Sequence, residues 1–108
     1  MELNEDTIRA ICKRLLERDP NIVEIVQFGS SVYAPKCARD MDILIFTKSE
    51  RKPNDYLEAI EGLNLPFTVD VLPAKIDKPL NRSIALHVFG AHDILYGNGH
   101  VLYQAIGR

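Results

Sequence analysis

The stretch Asp40-Met41-Asp42-Ile43-Leu44-Ile45-Phe46 decides how the fold of this chain is interpreted. Its apolar run, rich in Ile and Phe, is typical of a buried β-strand. Side chains two residues apart in a strand point to the same face, so Asp40 and Asp42 should stand roughly 6.5–7 Å apart at about 3.3 Å rise per residue. Carboxylates that close repel unless a cation lies between them. The pair therefore predicts a Mg²⁺ site that also holds phosphates; two solvated aspartates at a strand start are the alternative.

The segment before this strand supports a phosphate-binding interpretation. Residues 23–28 form a second strand candidate that ends in Gly29-Ser30-Ser31. A glycine after a strand lets the backbone turn tightly and approach a ligand closely. Backbone N–H groups at such a turn, together with a serine hydroxyl, form a cradle for phosphate. The alternative role for Ser30 is that of a helix N-cap.

A third carboxylate lies inside another strand candidate. Residues 67–72 are strongly strand-like, and Asp70 interrupts them. Aspartate is depleted in strands and is almost never fully buried unless it is paired. Asp70 is therefore expected to bind a metal, to take part in catalysis, or to pair with an Arg or Lys.

Together these three parts resemble a known signature. Gly29-Ser30, Asp40-Met41-Asp42 and Asp70 are similar to the motifs of the nucleotidyltransferase superfamily with the polymerase-beta-like fold, over roughly residues 5–103. In size the chain resembles the minimal nucleotidyltransferases (MNT) that accompany HEPN-domain partners, many of them in toxin–antitoxin pairs. The resemblance implies an α/β (α+β) fold with a small mixed sheet flanked by helices, in a single domain over residues 1–108.

The resemblance also implies an activity and a site. The activity would be Mg²⁺-dependent transfer of a nucleoside monophosphate, AMP from ATP or another triphosphate, to a hydroxyl of a partner protein. The chain would act as the antitoxin of a HEPN-type toxin; the alternative is a non-catalytic module that binds a nucleotide or a partner. The implied catalytic residues, which would hold two Mg²⁺ ions, are Asp40, Asp42 and Asp70. The implied nucleotide contacts are Gly29, Ser30, Ser31 and Arg39.

Some neighbouring residues keep two interpretations. Arg39 stands where the family commonly has Ser, and it could meet a phosphate, pair with Asp40 or be solvated. Lys36 could likewise meet the triphosphate or be solvated. Tyr33 could stack on a base or pack on the first helix. His87 is expected to be a helix-face residue without a functional role, and no histidine spacing indicates a metal site.

Composition narrows the remaining classes. A net charge of −2 gives no basic surface for non-specific nucleic-acid binding. The two cysteines form neither a disulfide framework nor a zinc set. No stretch approaches the roughly 18 apolar residues of a membrane span, and the acidic beginning at residues 1–6 lacks the plan of a signal peptide. These observations favour a cytoplasmic protein.

The rest of the chain alternates helices and strands. Apolar residues at helical spacing predict helices around residues 8–16, 56–63 and 80–88. Asn98-Gly99 between the apolar runs 94–96 and 101–103 predicts a β-hairpin. An exposed edge strand there, with the aromatic residues Phe89, Tyr96 and Tyr103 nearby, predicts an interface with a second copy or with the helical partner, away from the metal site. The alternative is core packing against the third helix.

Overall fold

The computed structural model describes residues 3–107; the ends of the predicted domain, residues 1–2 and 108, lie outside the described residues. Five helices and four strands alternate along these residues, and a 3₁₀ turn at Glu61–Leu63 follows the third helix. The helices are α1 (Glu5–Arg18), α2 (Ser30–Tyr33), α3 (Pro53–Ile60), α4 (Arg82–Gly90) and α5 (His100–Ile106). The strands are β1 (Ile22–Phe28), β2 (Asp40–Thr47), β3 (Thr68–Lys75) and β4 (His92–Tyr96).

The four strands form one mixed sheet in the order β3-β2-β1-β4. β1 is antiparallel to both of its neighbours, β2 and β4, whereas β2 and β3 run parallel. A parallel pair needs a crossover connection, which α3 provides. Pro73 lies in the edge strand β3, a place where the missing N–H costs no central hydrogen bond. The predicted fold class, a small mixed sheet flanked by helices, is confirmed.

The two faces of the sheet bury two separate apolar clusters. Alternate residues of the strands point to opposite faces, so odd-numbered and even-numbered residues of β2 join different clusters. The first cluster, with α1 and α3, is centred on Ile11, Leu15, Ile25, Met41, Ile43, Ile45, Tyr56 and Ile60. The second, with α4 and α5, is centred on Val26, Phe28, Leu44, Phe46, Val88 and Leu102. We call these the first and the second core cluster.

A buried carboxylate joins α1, β2 and α3. The Asp19 side chain is fully buried, and it accepts hydrogen bonds from Tyr56 Oη at 2.6 Å and Thr47 Oγ1 at 2.7 Å. Burial alone would raise the pKa of Asp19, but these hydrogen bonds, together with one from the Asn21 backbone and the Arg51 charge, hold the pKa below its usual value. The ionised form of Asp19 therefore stabilises the folded chain.

The end of the chain differs from the predicted hairpin. Residues 94–96 do form part of a strand, but 101–103 lie in α5, not in a second strand. The reason is a distant contact: buried Glu24 of β1 accepts the N–H groups of Val101 at 2.9 Å and Leu102 at 3.0 Å. A carboxylate at this place satisfies two of the N–H groups that the start of a helix leaves free.

The aromatic residues of the predicted interface are not part of the core. Phe89, Tyr96 and Tyr103 are exposed by 69%, 41% and 53%, which argues against simple core packing. β4 is an edge strand of the sheet. An interface at this end of the molecule stays a prediction. Within the described residues, no helix is long and apolar enough to span a membrane.

Candidate functional site

The three predicted carboxylates lie on one face at one end of the sheet. Asp40 and Asp42 both belong to β2, and they point to the side of the second core cluster because Leu44, two residues on, packs there. The parallel pairing of β2 with β3 places Asp70 directly beside Asp42 in the register. Neighbours in register share a face, so Asp70 stands on the same side as the other two.

Crowding of like charges is visible at Asp42. This side chain is half-buried, whereas Asp40 and Asp70 are exposed. Burial, followed by the charges of Asp70 and Asp40, raises the pKa of Asp42 above its usual value, and His87 acts in the opposite direction. Without a cation the folded chain therefore penalises the ionised form of Asp42. A divalent ion would remove that penalty.

The donor chemistry of this face fits Mg²⁺. Carboxylate oxygens on two adjacent strands are hard ligands held by a rigid element. Within residues 3–107, however, no group of three His, Cys, Asp or Glu side chains is close enough together to hold a metal ion by itself. Mg²⁺ usually binds through one or two carboxylates together with substrate phosphates and water, not through an all-protein cage. The arrangement therefore fits an ion that arrives with its nucleotide.

The turn after β1 is built around Gly29. Its φ of +79° is unfavourable for residues with a side chain, and a Cβ there would lie 2.9 Å from Asp42 Oδ2. The Gly29 N–H donates to the carbonyl of Ala91 at 3.2 Å, which joins the turn to the segment between α4 and β4. The close approach of backbone to carboxylate makes glycine necessary here for both conformation and space.

The two serines of the turn have different surroundings. Ser31 is 3% exposed, and its hydroxyl accepts a hydrogen bond from Gln27 Nε2 at 2.9 Å. This hydroxyl faces the interior, so the nucleotide contact predicted for Ser31 is left to its backbone N–H. Ser30 is only half-buried and begins α2, where N–H groups lack helical partners. Gly29, not Ser30, is the N-cap of this short helix, and no side chain caps it.

An open cavity of about 540 Å³ lies between the turn and α4. Three predicted site residues line it, Gly29, Ser30 and Asp42, and the other lining residues are Tyr33, Leu86, His87, Gly90 and Ala91. Tyr33 is 71% exposed and lines this cavity instead of packing on α1. Asp40, Asp70, Ser31 and Arg39 are not among the lining residues.

Of the basic residues considered near the site, His87 lies at the cavity, whereas Arg39 and Lys36 do not line it. Arg39 and Lys36 are exposed, and neither is among the charges that affect the pKa of Asp42. His87, which the sequence assigned to a helix face without function, does affect it. No local sequence pattern indicates this, because the approach of α4 to β2 depends on how the helix packs across the sheet.

No protein-family model and no curated protein matches this sequence. Solved structures do match it. A chain in a crystal structure of a variant MntA-HpeT toxin–antitoxin complex aligns with a TM-score of 0.75 and 18% identity, over 97% of this chain and 82% of that one. A chain in the structure of tri-AMPylated Shewanella oneidensis HEPN toxin in complex with MNT antitoxin aligns with a TM-score of 0.61 and 17% identity, over 93% and 81%.

A third similar structure is an antibiotic-modifying enzyme. The spectinomycin adenyltransferase AAD(9) from Enterococcus faecialis, solved with ATP and spectinomycin, aligns with a TM-score of 0.64 and 14% identity. The alignment covers 91% of this chain and 58% of that enzyme. At these identities the likeness establishes the fold. The described residues have an MNT-like nucleotidyltransferase fold, as the sequence motifs predicted.

Proposed function

We propose that this chain is a Mg²⁺-dependent nucleotidyltransferase that transfers AMP from ATP to a hydroxyl of a partner protein. The observation that carries the proposal is the register of β2 and β3. This register sets Asp70 beside Asp42, with Asp40 on the same face of the sheet. The Asp42 carboxylate lies close to Gly29, where a Cβ would approach Asp42 Oδ2 to 2.9 Å. Burial and the neighbouring charges disfavour the ionised form of Asp42, so a ligand that needs this carboxylate is a better explanation than fold stability.

The chain's own residues would position the reactants. The N–H groups at the start of α2 and the Ser30 hydroxyl would hold the phosphate chain, while Asp40, Asp42 and Asp70 would hold Mg²⁺. The acceptor hydroxyl oxygen forms a bond to the α-phosphorus, the bond from that phosphorus to the bridging oxygen breaks, and pyrophosphate leaves. The hydroxyl proton passes to a carboxylate or to water.

Two Mg²⁺ ions held by these carboxylates would supply the remaining chemistry, namely a lower pKa of the acceptor hydroxyl and neutralisation of charge on the leaving pyrophosphate. The raised pKa of Asp42, caused by burial and then by Asp70 and Asp40, supports a site that gains stability when cations enter. Within this proposal the reaction takes place in the cytoplasm, where both ATP and Mg²⁺ are present.

A HEPN-type protein is the proposed acceptor, with this chain as its antitoxin. The structure of an AMPylated HEPN toxin with an MNT antitoxin, whose fold this chain shares, supports that choice. In this proposal the acceptor protein itself forms the wall of the site that faces the bound nucleotide. The exposed aromatic side chains of Phe89, Tyr96 and Tyr103 would suit such a partner or a second copy.

Intact mass spectrometry tests the proposal. The chain is incubated with Mg²⁺, ATP and a HEPN-type protein, and that protein is expected to gain the mass of one or more AMP groups. Asp42→Asn should abolish the gain. Asp93→Asn is the matched control, since Asp93 is an exposed strand aspartate whose neighbour Ile94 packs on the second core cluster, which places Asp93 on the opposite face. Binding of Mg²⁺-ATP without any mass gain would favour a non-catalytic module.

A further inference from the structure

The wall of the cavity opposite the glycine turn is formed by α4. Its Val88 is fully buried in the second core cluster, and Ile84 packs against the same cluster. Asn81 caps the helix by accepting the N–H of Ser83 at 2.9 Å. The helix is therefore fixed on the same sheet face as Asp42, and His87, next to Val88, lines the cavity.

His87 differs from the other two histidines in its surroundings. The His92 ring contacts the Val88 carbonyl at 2.8 Å, and the His100 ring contacts Gln104 at 3.3 Å. Among the described residues, His87 has no such hydrogen-bond partner. A polar ring that lines the cavity without a partner in the fold is available to a ligand.

The surroundings of His87 indicate that its ligand is an anion. His87 is exposed and lines the same cavity as Asp42, so the ring and one of the three carboxylates face a common space. The site needs positive groups wherever a triphosphate approaches three carboxylates. Arg39 and Lys36 do not line this cavity, which leaves His87 as its basic side chain within the described residues.

We propose that His87 binds the phosphate chain of the nucleotide, donating an imidazole N–H to the β- or γ-phosphate across the cavity from Gly29 and Ser30. The inference rests on the proposed function, because it assumes that a nucleoside triphosphate occupies this cavity. It goes further in two respects. The helix α4 forms the second wall of the phosphate site, and His87 makes the chain bind a nucleoside triphosphate more tightly than a monophosphate.

Two other roles for His87 fit the geometry less well. As a metal ligand it would complete a group with Asp42 and a further acidic side chain, and within residues 3–107 no such group is close enough. As a general base it would have to face the acceptor hydroxyl, which attacks from the side opposite the leaving pyrophosphate. His87 instead shares its cavity with Gly29 and Ser30, where the phosphate tail is expected.

Calorimetry with three ligands tests the inference on the full chain. Mg²⁺ with the non-hydrolysable analogue AMP-PNP, Mg²⁺ with AMP, and Mn²⁺ alone are titrated into the wild type, His87→Phe, His87→Gln and the control His100→Gln. One hydrogen bond to a charged group corresponds to roughly a tenfold to hundredfold change in affinity. His87→Phe should lose that much affinity for AMP-PNP and change little for AMP or Mn²⁺. His87→Gln, which keeps a donor, should recover most of the loss.

The outcomes separate this inference from the proposed function. If the wild type does not bind AMP-PNP, the proposed function fails and the role of His87 fails with it. If the wild type binds AMP-PNP but His87→Phe binds it equally well, or loses AMP and AMP-PNP alike, only the role of His87 is overturned. A loss of Mn²⁺ binding alone would reassign His87 to the metal. His87→Ala replaces His87→Phe should the larger side chain disturb folding.

Discussion

Replacing Asp42 by Asn should stabilise the metal-free chain while removing its response to Mg²⁺-ATP. Asp42 is half-buried between two other carboxylates, and its pKa is raised by burial and then by Asp70 and Asp40. An Asp whose folded pKa is raised costs stability above that pKa, and the cost disappears as the pH falls toward the ordinary Asp value of about 3.9. The Asn side chain has a similar shape and no charge, so it avoids this cost at neutral pH.

The size of the effect follows from the neighbours. Interactions between exposed charges are typically worth roughly 0.2–1 kcal/mol, and Asp70 lies beside Asp42 in the parallel register of β2 and β3. Asp40 adds a second repulsion of similar size, while the loss of the attraction to His87 subtracts from the gain. The net gain should be about 0.5–1 kcal/mol, which corresponds to roughly 3–6 °C in Tm for a domain of this size.

Thermal unfolding should rank the Tm values of the wild type and Asp42→Asn in opposite order without and with ligand. Without metal, Asp42→Asn should have the higher Tm at pH 7, and the difference should vanish near pH 4. With Mg²⁺-ATP at about a hundred times its Kd, the wild type should gain about 2.7 kcal/mol by linkage, and the variant much less. Asp93→Asn should follow the wild type throughout. The reasoning would be refuted by a metal-free Asp42→Asn that is less stable than the wild type, or by equal gains with ligand.

Three further substitutions test other parts of the structure. Glu24→Gln should destabilise the chain by roughly 2–3 kcal/mol, because an amide cannot accept both N–H groups at the start of α5, which urea unfolding would show as a lower midpoint. Tyr56→Phe should cost roughly 1.5–3 kcal/mol at pH 7. Since the pKa of Asp19 is depressed, the advantage of the wild type should be full above about pH 4 and shrink as the pH falls. Gly29→Ala should weaken Mg²⁺-ATP binding, because its Cβ would lie 2.9 Å from Asp42 Oδ2 at a φ of +79°, as calorimetry would show.

Matched controls keep these three results interpretable. Glu50→Gln removes an exposed carboxylate that pairs with Lys78 at 3.1 Å, and it should change stability by at most about 1 kcal/mol. Tyr103→Phe removes the hydroxyl of an exposed tyrosine and should be nearly neutral. If these surface variants lose as much stability as Glu24→Gln and Tyr56→Phe, the buried hydrogen bonds have been overvalued. For Gly29→Ala, unchanged ATP affinity would show that the turn does not approach the ligand.

The strands could be predicted because their signals are local. Residues 22–28 and 40–47 contain mainly apolar residues and are mostly buried, as expected for central strands covered on both faces. The alternation within β2 also places Asp40 and Asp42 on one face without any knowledge of the fold. What the sequence alone does not provide is the pairing that sets Asp70 beside Asp42, since register depends on a crossover through α3. The resemblance, not the pattern, supplied that expectation.

The hairpin was wrong for a physical reason that local patterns do not contain. Val101 is β-branched and Tyr103 is aromatic, and both residue types favour a strand. Their conformation is instead decided by Glu24, 77 and 78 residues away, which accepts the first N–H groups of α5. Gly97 permits this at a φ of +95°, where a Cβ would lie 2.8 Å from the Val23 carbonyl. A tertiary contact thus overrides the local propensity.

In the candidate site, too, some residues can be predicted from the local sequence and others depend on tertiary contacts. Gly29 could be identified from the sequence because a strand that ends in Gly-Ser has a conformational meaning of its own. Ser31 could not be distinguished from Ser30, because only the bond from Gln27 fixes Ser31 in the interior and leaves Ser30 at the cavity. The role proposed for His87 could not be predicted, because it depends on the packing of a helix that begins more than thirty residues after the end of β2, in a pattern dominated by apolar residues. A polar ring next to a buried valine on such a helix is a weak signal in the sequence. It becomes a strong one only when the opposite wall of the cavity is known to be Asp42.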